Sequence, residues 1–66
     1  MYESLLMLED NLKGLVALIK IGKEDNLPEL DEKVSIDNKN YLVISAYDLR
    51  PAGPYMELVI SEYDKV

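Results

Sequence analysis

Residues 4–21 read SLLMLEDNLKGLVALIKI and form the most apolar stretch of the 66-residue chain. Aliphatic side chains recur in it at alternating intervals of three and four residues, namely Leu5, Leu8, Leu12, Leu15 and Ile19. This spacing lines one side of a helix. Ser4 is placed to cap the N-terminus of that helix, and Gly22 to end it in a left-handed conformation. The pattern predicts an N-terminal helix, in which Gly14 would cost about 1 kcal/mol relative to alanine.

The C-terminal half of the chain has the composition and alternation of β-strands. Strands are predicted over residues 34–37, 41–49 and 55–63, with turns at residues 38–40 and 50–54. One helix packed on three antiparallel strands gives a single α+β domain of order αβββ over residues 1–66. A chain this short has a marginal core, so we expect it to gain further burial as a homodimer.

Alternation also predicts which side chains share a sheet face. Ile44 should oppose Ile60 and Ala46 should oppose Leu58, and this face should receive the helix. The other face then exposes a tyrosine-rich surface that is too apolar to be left wholly in water. We predict a dimer interface there, formed by Tyr41, Val43, Tyr47, Tyr55, Val59 and Tyr63. Docking of a foreign partner on the same face is the alternative.

Composition narrows the chemistry that the chain can perform. It contains neither cysteine nor histidine, so it lacks the usual nucleophile, the usual proton shuttle and the commonest metal ligands. Carboxylate pairs are numerous but none stands beside convergent groups that would give its members different roles. Glycine-rich phosphate loops and calcium-binding loops are also missing. We therefore predict no enzyme, no cofactor and no metal site.

Thirteen acidic and seven basic side chains give a net charge of −6, which disfavours nucleic acid and anionic membranes as partners. The acidic connector, residues 23–33 (KEDNLPELDEK), holds the densest charge. In extended chain, carboxylates two residues apart lie ~7 Å apart, near the spacing of successive phosphates. Glu29 and Asp31 have this spacing. The acidic connector therefore has the charge to occupy the basic surface of a nucleic-acid-binding protein; alternatively, it is a solvated loop that contacts nothing.

In size and charge the chain resembles the small acidic inhibitors encoded by bacteriophages, including the DNA-mimic proteins that block host nucleic-acid-binding proteins. The residues that carry this resemblance are Glu24, Asp25, Glu29, Asp31, Glu32, Glu57, Glu62 and Asp64. The resemblance implies a partner-binding role for these side chains. It also implies targets such as restriction enzymes, DNA glycosylases, polymerases and basic nucleoid proteins of the histone-like kind.

These observations favour a non-enzymatic, dimeric protein that binds and inhibits a basic DNA-binding protein by mimicking the charge of DNA. The alternative is a structural or accessory module that assembles through the tyrosine-rich face. Residues 1–21 lack the basic region of a signal peptide, and no stretch reaches the ~20 apolar residues of a membrane span. We expect a cytoplasmic protein, acting in the host cytoplasm if a phage encodes it.

Overall fold

The computed structural model describes residues 2–10 and 14–62, which form one five-stranded sheet and contain no helix. The strands are β1 (Ser4–Asp10), β2 (Gly14–Lys20), β3 (Lys33–Ile36), β4 (Lys39–Asp48) and β5 (Tyr55–Glu62). They lie in the order β1-β2-β5-β4-β3, and each neighbouring pair is antiparallel. The described part of the chain is therefore all-β, and the predicted αβββ architecture is wrong.

The predicted helix is replaced by the antiparallel pair β1 and β2. Leu6 pairs with Leu18 and Leu8 with Val16 on the outer face of the sheet, while Met7 pairs with Ala17 on the inner face. Because apolar residues occupy both faces of both strands, the period of two is hidden and a helical spacing emerges by coincidence. Gly14 pairs with Asp10 and has a φ of 94°, which excludes it from a helix and which glycine adopts without strain.

The three predicted C-terminal strands correspond to β3, β4 and β5 within two residues at each end. Ile36 pairs with Lys39, so the tight turn between β3 and β4 lies at Asp37 and Asn38, one residue before its predicted place. Both turn residues have positive φ, 53° and 69°, a conformation that Asp and Asn tolerate better than most residues.

The core lies on the inner face of the sheet, which curls until its two edges meet. Tyr2, just before β1, forms a parallel bridge to Ile36 of β3. The Tyr2 amide donates to the Ser35 carbonyl at 2.8 Å, and the Tyr2 carbonyl accepts from the Asp37 amide at 3.0 Å. Ser4 donates to the Asp37 carboxylate from both its amide and its hydroxyl. The curled sheet encloses the buried side chains Ala17, Ile19, Ile21, Val34, Ile36, Tyr41, Val43, Met56, Leu58 and Ile60.

Candidate protein-binding surfaces

Arg50, in the turn between β4 and β5, forms hydrogen bonds to the start of the acidic connector. Its Nη1 lies 3.1 Å from the Gly22 carbonyl, 3.0 Å from that of Lys23 and 2.7 Å from that of Asp25. Its Nε and Nη2 donate to the two carboxylate oxygens of Asp48, each at 2.9 Å. One guanidinium thus links a neighbouring carboxylate to three backbone carbonyls from another loop, which suits its planar fork of five donors.

Two carboxylates of the acidic connector stabilise its backbone. Asp25 accepts from the Gly22 amide at 2.7 Å, and Glu32 accepts from the Glu29 amide at 2.9 Å. Further along, the Asp31 amide donates to the Val43 carbonyl at 2.8 Å. The Val43 amide in turn donates to the Glu32 carbonyl at 3.0 Å, which attaches this end of the connector to β4. The acidic connector is therefore an ordered part of the fold.

The predicted phosphate-like spacing of Glu29 and Asp31 is not formed. The Glu32 amide donates to the Glu29 carbonyl at 3.0 Å, which closes a turn. Asp31 within that turn has a φ of 66°, whereas an extended strand needs a negative φ. The structure presents these carboxylates as a cluster around a turn, so any likeness to nucleic acid lies in charge and not in regular spacing.

All five acidic side chains of the connector are exposed, and two of them border a groove. The groove has a volume of about 450 Å³ and is lined by Tyr2, Asp25, Asn26, Glu32, Lys33, Val34 and Ser35. Burial raises the pKa of the Tyr2 hydroxyl, and the charges of Glu32 and Asp25 raise it further. Asp25 and Glu32 outnumber Lys33, the one cation of this lining, and their carboxylate oxygens suit an ammonium or guanidinium group.

The remaining predicted partner-binding residues lie apart from the acidic connector. Glu57 is on the outer face, paired with Leu18 on one side and Tyr47 on the other. Glu62 is exposed at the end of β5, opposite Tyr41. Asp64 lies outside the described residues. The structure thus groups Glu24, Asp25, Glu29, Asp31 and Glu32 in one ordered segment, and it does not bring Glu57 into that group.

The predicted tyrosine-rich dimer face is not a single surface. Ser45 pairs with Val59 but Val43 pairs with Ile60, so the register shifts at Ile44 and the alternation of β4 reverses there. Tyr41 and Val43 consequently point into the core, 4% and 1% exposed, while Tyr47 is 64% exposed on the outer face. The prediction that Tyr41 and Val43 share one exposed face with Tyr47 therefore does not hold.

The other members of the predicted dimer face have mixed environments. Ala46 does oppose Leu58, as predicted, whereas Ile44 lies at the bulge with 44% of its surface exposed. Val59 is buried and Tyr55 is half-buried, and Tyr63 lies outside the described residues. Tyr47 is therefore the one strongly exposed tyrosine of the predicted face among the residues that the structure describes.

An exposed apolar surface that the sequence pattern did not predict lies on β1 and β2. Leu6, Leu8, Val16 and Leu18, called the leucine patch below, form two cross-strand pairs on the outer face around a shallow pocket of about 180 Å³. Leu6 and Leu8 are each more than half exposed. Reading residues 4–21 as two strands would have revealed the patch, since leucines two residues apart share a face.

The Asp48–Arg50 contact predicts how stability depends on pH. Hydrogen bonds from the Arg50 side chain and amide lower the pKa of Asp48 to about 2, and those from Ser4 lower the pKa of Asp37. Depressed carboxyl pKa values stabilise the fold above the unfolded value of about 3.9, and this stabilisation disappears as pH falls through the folded value. We expect stability to decline between about pH 4 and pH 2.

Carboxyl-carbon chemical shifts measured against pH would check this expectation. The Asp48 midpoint should lie near 2 in the natural chain and move toward the ordinary value in Arg50→Met. Asp37, which Arg50 does not touch, serves as the internal control. An Asp48 midpoint that stays near 2 in the variant would show that another group depresses it.

Comparison of the chain with protein-family models, with curated proteins and with solved structures found no match in any of the three. Across residues 2–10 and 14–62 no helix has the length and apolar character to cross a membrane. Nor do these residues contain a group of three or more acidic side chains arranged to hold a metal ion.

Proposed function

We propose that this chain is a non-enzymatic binding protein that takes a basic protein partner on its acidic connector. The partner's basic surface is one that otherwise binds DNA, so that the chain acts as an inhibitor by competing with nucleic acid. The observation that carries the proposal is the ordered backbone beneath the exposed carboxylates. Arg50, Asp25 and Glu32 hold this backbone in place before any partner arrives.

Preordered charge favours such binding for two physical reasons. Side chains and loops that are already placed lose less conformational entropy on association. In addition, a net charge of −6 steers a cationic partner toward the surface and accelerates its encounter. The groove beside Tyr2 provides a site where one Lys or Arg side chain of the partner would be held between Asp25 and Glu32. A DNA-binding partner of this kind, for example a histone-like nucleoid protein, would place the activity in the bacterial cytoplasm.

The first experiment is affinity capture from a nuclease-treated bacterial lysate at low and at high salt, followed by mass spectrometry. The proposal expects one basic DNA-binding protein to be retained at low salt and lost at high salt. The captured protein is then bound to labelled DNA, and the chain should displace that DNA in a fluorescence-anisotropy titration. Capture that survives high salt, or DNA that stays bound, would contradict the proposed mechanism.

A charge reversal on the acidic connector should weaken this binding strongly. Glu29→Lys changes the net charge from −6 to −4 and alters an exposed side chain. Since the backbone amide of Glu29 and not its carboxylate holds the turn, the fold should persist. We expect about a tenfold loss of affinity at low salt, with a shallower salt dependence.

The matched control is Glu9→Lys, which makes the same charge change at an exposed position on β1, away from the connector. It should lose much less affinity than Glu29→Lys. Equal losses in the two variants would mean that overall charge, and not the acidic connector, attracts the partner. Circular dichroism of both variants confirms that each retains its sheet.

A further inference from the structure

We propose that a second copy of this chain pairs with the free edge of β1 in antiparallel orientation, joining two five-stranded sheets into one. This inference is independent of the proposed function, because it concerns the opposite end of the sheet order from β3 and uses none of the connector carboxylates. It also replaces the tyrosine-rich face with a different surface for self-association.

The first observation is the unprotected edge of β1. In the described part of the chain β1 ends the sheet order, and its contact with β3 is limited to the region around Tyr2 and Ser4. From Leu6 to Asp10 none of the other described strands lies beside the backbone groups that face away from β2. Edge strands are usually protected by charged side chains (lysine above all), by proline or by a bulge. Leu6, Met7 and Leu8 at the middle of β1 provide none of these; the bulge lies before them, between Ser4 and Leu6, and the acidic residues of β1 follow them at its C-terminal end.

The second observation is the leucine patch, which reaches this same edge. Leu6 and Leu8 are 51% and 54% exposed on the outer face. Pairing of two β1 strands would place these leucines beside their counterparts and make the two patches continuous. Cross-strand apolar pairs of this kind are the ordinary unit of sheet stabilisation. The edge therefore offers hydrogen bonds and apolar contact together.

The charges of β1 select the antiparallel orientation. Glu9 and Asp10 are both at the C-terminal end of the strand. A parallel pair would set these carboxylates against the same carboxylates of the second copy, which is unfavourable. In an antiparallel pair centred on Met7, Glu9 instead lies opposite Leu5, and the pairing ends there because the Ser4 amide is bound to Asp37. The like charges are then separated by the length of the strand.

The size of this surface indicates a weak dimer. The roughly five residues of strand that pair in this way extend roughly 17 Å, and a sheet is roughly 10 Å thick. Such an edge is smaller than the roughly 800 Å² per partner that a standard interface buries. We therefore expect dissociation in the micromolar range or above. Because each copy carries −6, added salt should strengthen the dimer by screening repulsion, whereas it weakens the binding of a basic partner.

The test uses the absence of cysteine from the natural sequence. Single cysteines are placed at Leu6, Met7 and Leu8, and the full-length variants are oxidised alone and in equimolar pairs. A disulfide requires Cα atoms about 4.4–6.8 Å apart, so only residues that oppose each other across the two strands will link quickly. An antiparallel pair centred on Met7 links Leu6→Cys to Leu8→Cys faster than it links either variant to itself. If the antiparallel register is shifted, a different pair of these positions links fastest.

Two control positions keep the result interpretable. Leu30→Cys is on the acidic connector and Tyr47→Cys is on the outer face of β4, and both side chains are more than 60% exposed. Preferential linking at Tyr47→Cys would indicate face-to-face packing of the sheets and overturn the proposal. Equal self-linking at all three β1 positions would indicate parallel pairing and overturn its stated geometry.

Light scattering of the unmodified chain across micromolar to submillimolar concentrations provides the second measurement. We expect the mass to rise toward twice 7.5 kDa, and to do so at lower concentration in high salt. Leu8→Lys should weaken this association about tenfold, since lysine blocks edge pairing, while Leu30→Lys should leave it unchanged. A chain that stays monomeric throughout, or a Leu30→Lys effect as large as that of Leu8→Lys, would refute β1 pairing. Neither result would bear on capture of a basic partner.

Discussion

Replacement of Leu58 by alanine is expected to remove about 3–5 kcal/mol from the free energy of unfolding. Leu58 is fully buried at the middle of the central strand β5. Its neighbours across the sheet are Ala17 on β2 and Ala46 on β4, so its side chain fills space that two small residues leave. Because neither alanine can move into the resulting cavity, the cost should lie toward the upper end of the range for leucine.

A loss of that size would remove a large share of the free energy of unfolding. Domains have about 0.05–0.15 kcal/mol of stability per residue, or roughly 3–10 kcal/mol for this chain. Urea unfolding monitored by circular dichroism measures the effect. The control is Leu30→Ala, at a leucine that is 68% exposed, where we expect a change within about 0.5 kcal/mol. A Leu58→Ala loss below about 1 kcal/mol would mean that the sheet closes over the cavity.

Replacement of Arg50 should release the acidic connector while leaving the sheet intact. The Arg50 side chain provides the contacts to Gly22, Lys23 and Asp25 that bind the start of the connector to the β4–β5 turn. In Arg50→Met these carbonyls lose their donor. We expect amide hydrogen exchange at Asp25 to accelerate about tenfold or more, and binding of a basic partner to weaken as the start of the connector loses its fixed position.

Arg50→Lys separates the geometry of the guanidinium from its charge. Lysine keeps the positive charge but lacks the fork that reaches Asp48 and three carbonyls at once. It should therefore resemble Arg50→Met and not the natural chain. Amides of β2 and β5, such as those of Ile19 and Leu58, report whether the sheet is unaffected. Full protection of the connector in Arg50→Lys would show that charge alone suffices.

The three C-terminal strands were predictable because their signals are local. β4 and β5 are rich in β-branched and aromatic residues, and turn-forming sequences precede and separate them. The pairing of Ala46 with Leu58 followed from the symmetry of that turn. The acidic connector with its five carboxylates is visible directly in the sequence. What the sequence did not reveal was the fixed backbone of this segment. Its start is held by Arg50, which lies at least 25 residues away from the carbonyls it contacts, and its end is held by Val43 of β4.

The N-terminal error has a definite physical origin. Leucine, methionine, lysine, glutamate and alanine all favour helices, and they dominate residues 4–21. Tertiary pairing overrides that propensity here, because β2 lies between β1 and β5 and its inner side chains complete the core. Gly14 was a local indication of two strands, because it occupies a position where the backbone needs a positive φ.

The error on the tyrosine-rich face came from assuming that alternation continues unbroken along a strand. The bulge at Ile44 adds one residue, so Tyr41 and Tyr47 point to opposite faces although they are an even number of residues apart. A bulge depends on how two strands twist and pair, and no residue type in 41–47 predicts it. The rule that residues an even number of positions apart share a sheet face therefore holds on each side of a bulge but not across it.

The position of β5 at the centre of the sheet has a consequence for how the chain reaches this structure. β5 is the last of the described strands along the chain, yet it lies between β2 and β4. Ile19 of β2 therefore cannot pair with its partner Met56 until Met56 has been synthesised, 37 residues later. Pairing over such separations slows folding and leaves intermediates exposed. On the ribosome, β1 and β2 emerge with apolar residues on both faces and no neighbouring strand. The nascent chain should be most vulnerable to aggregation in that interval, and it should fold cooperatively only after Glu62 has left the exit tunnel.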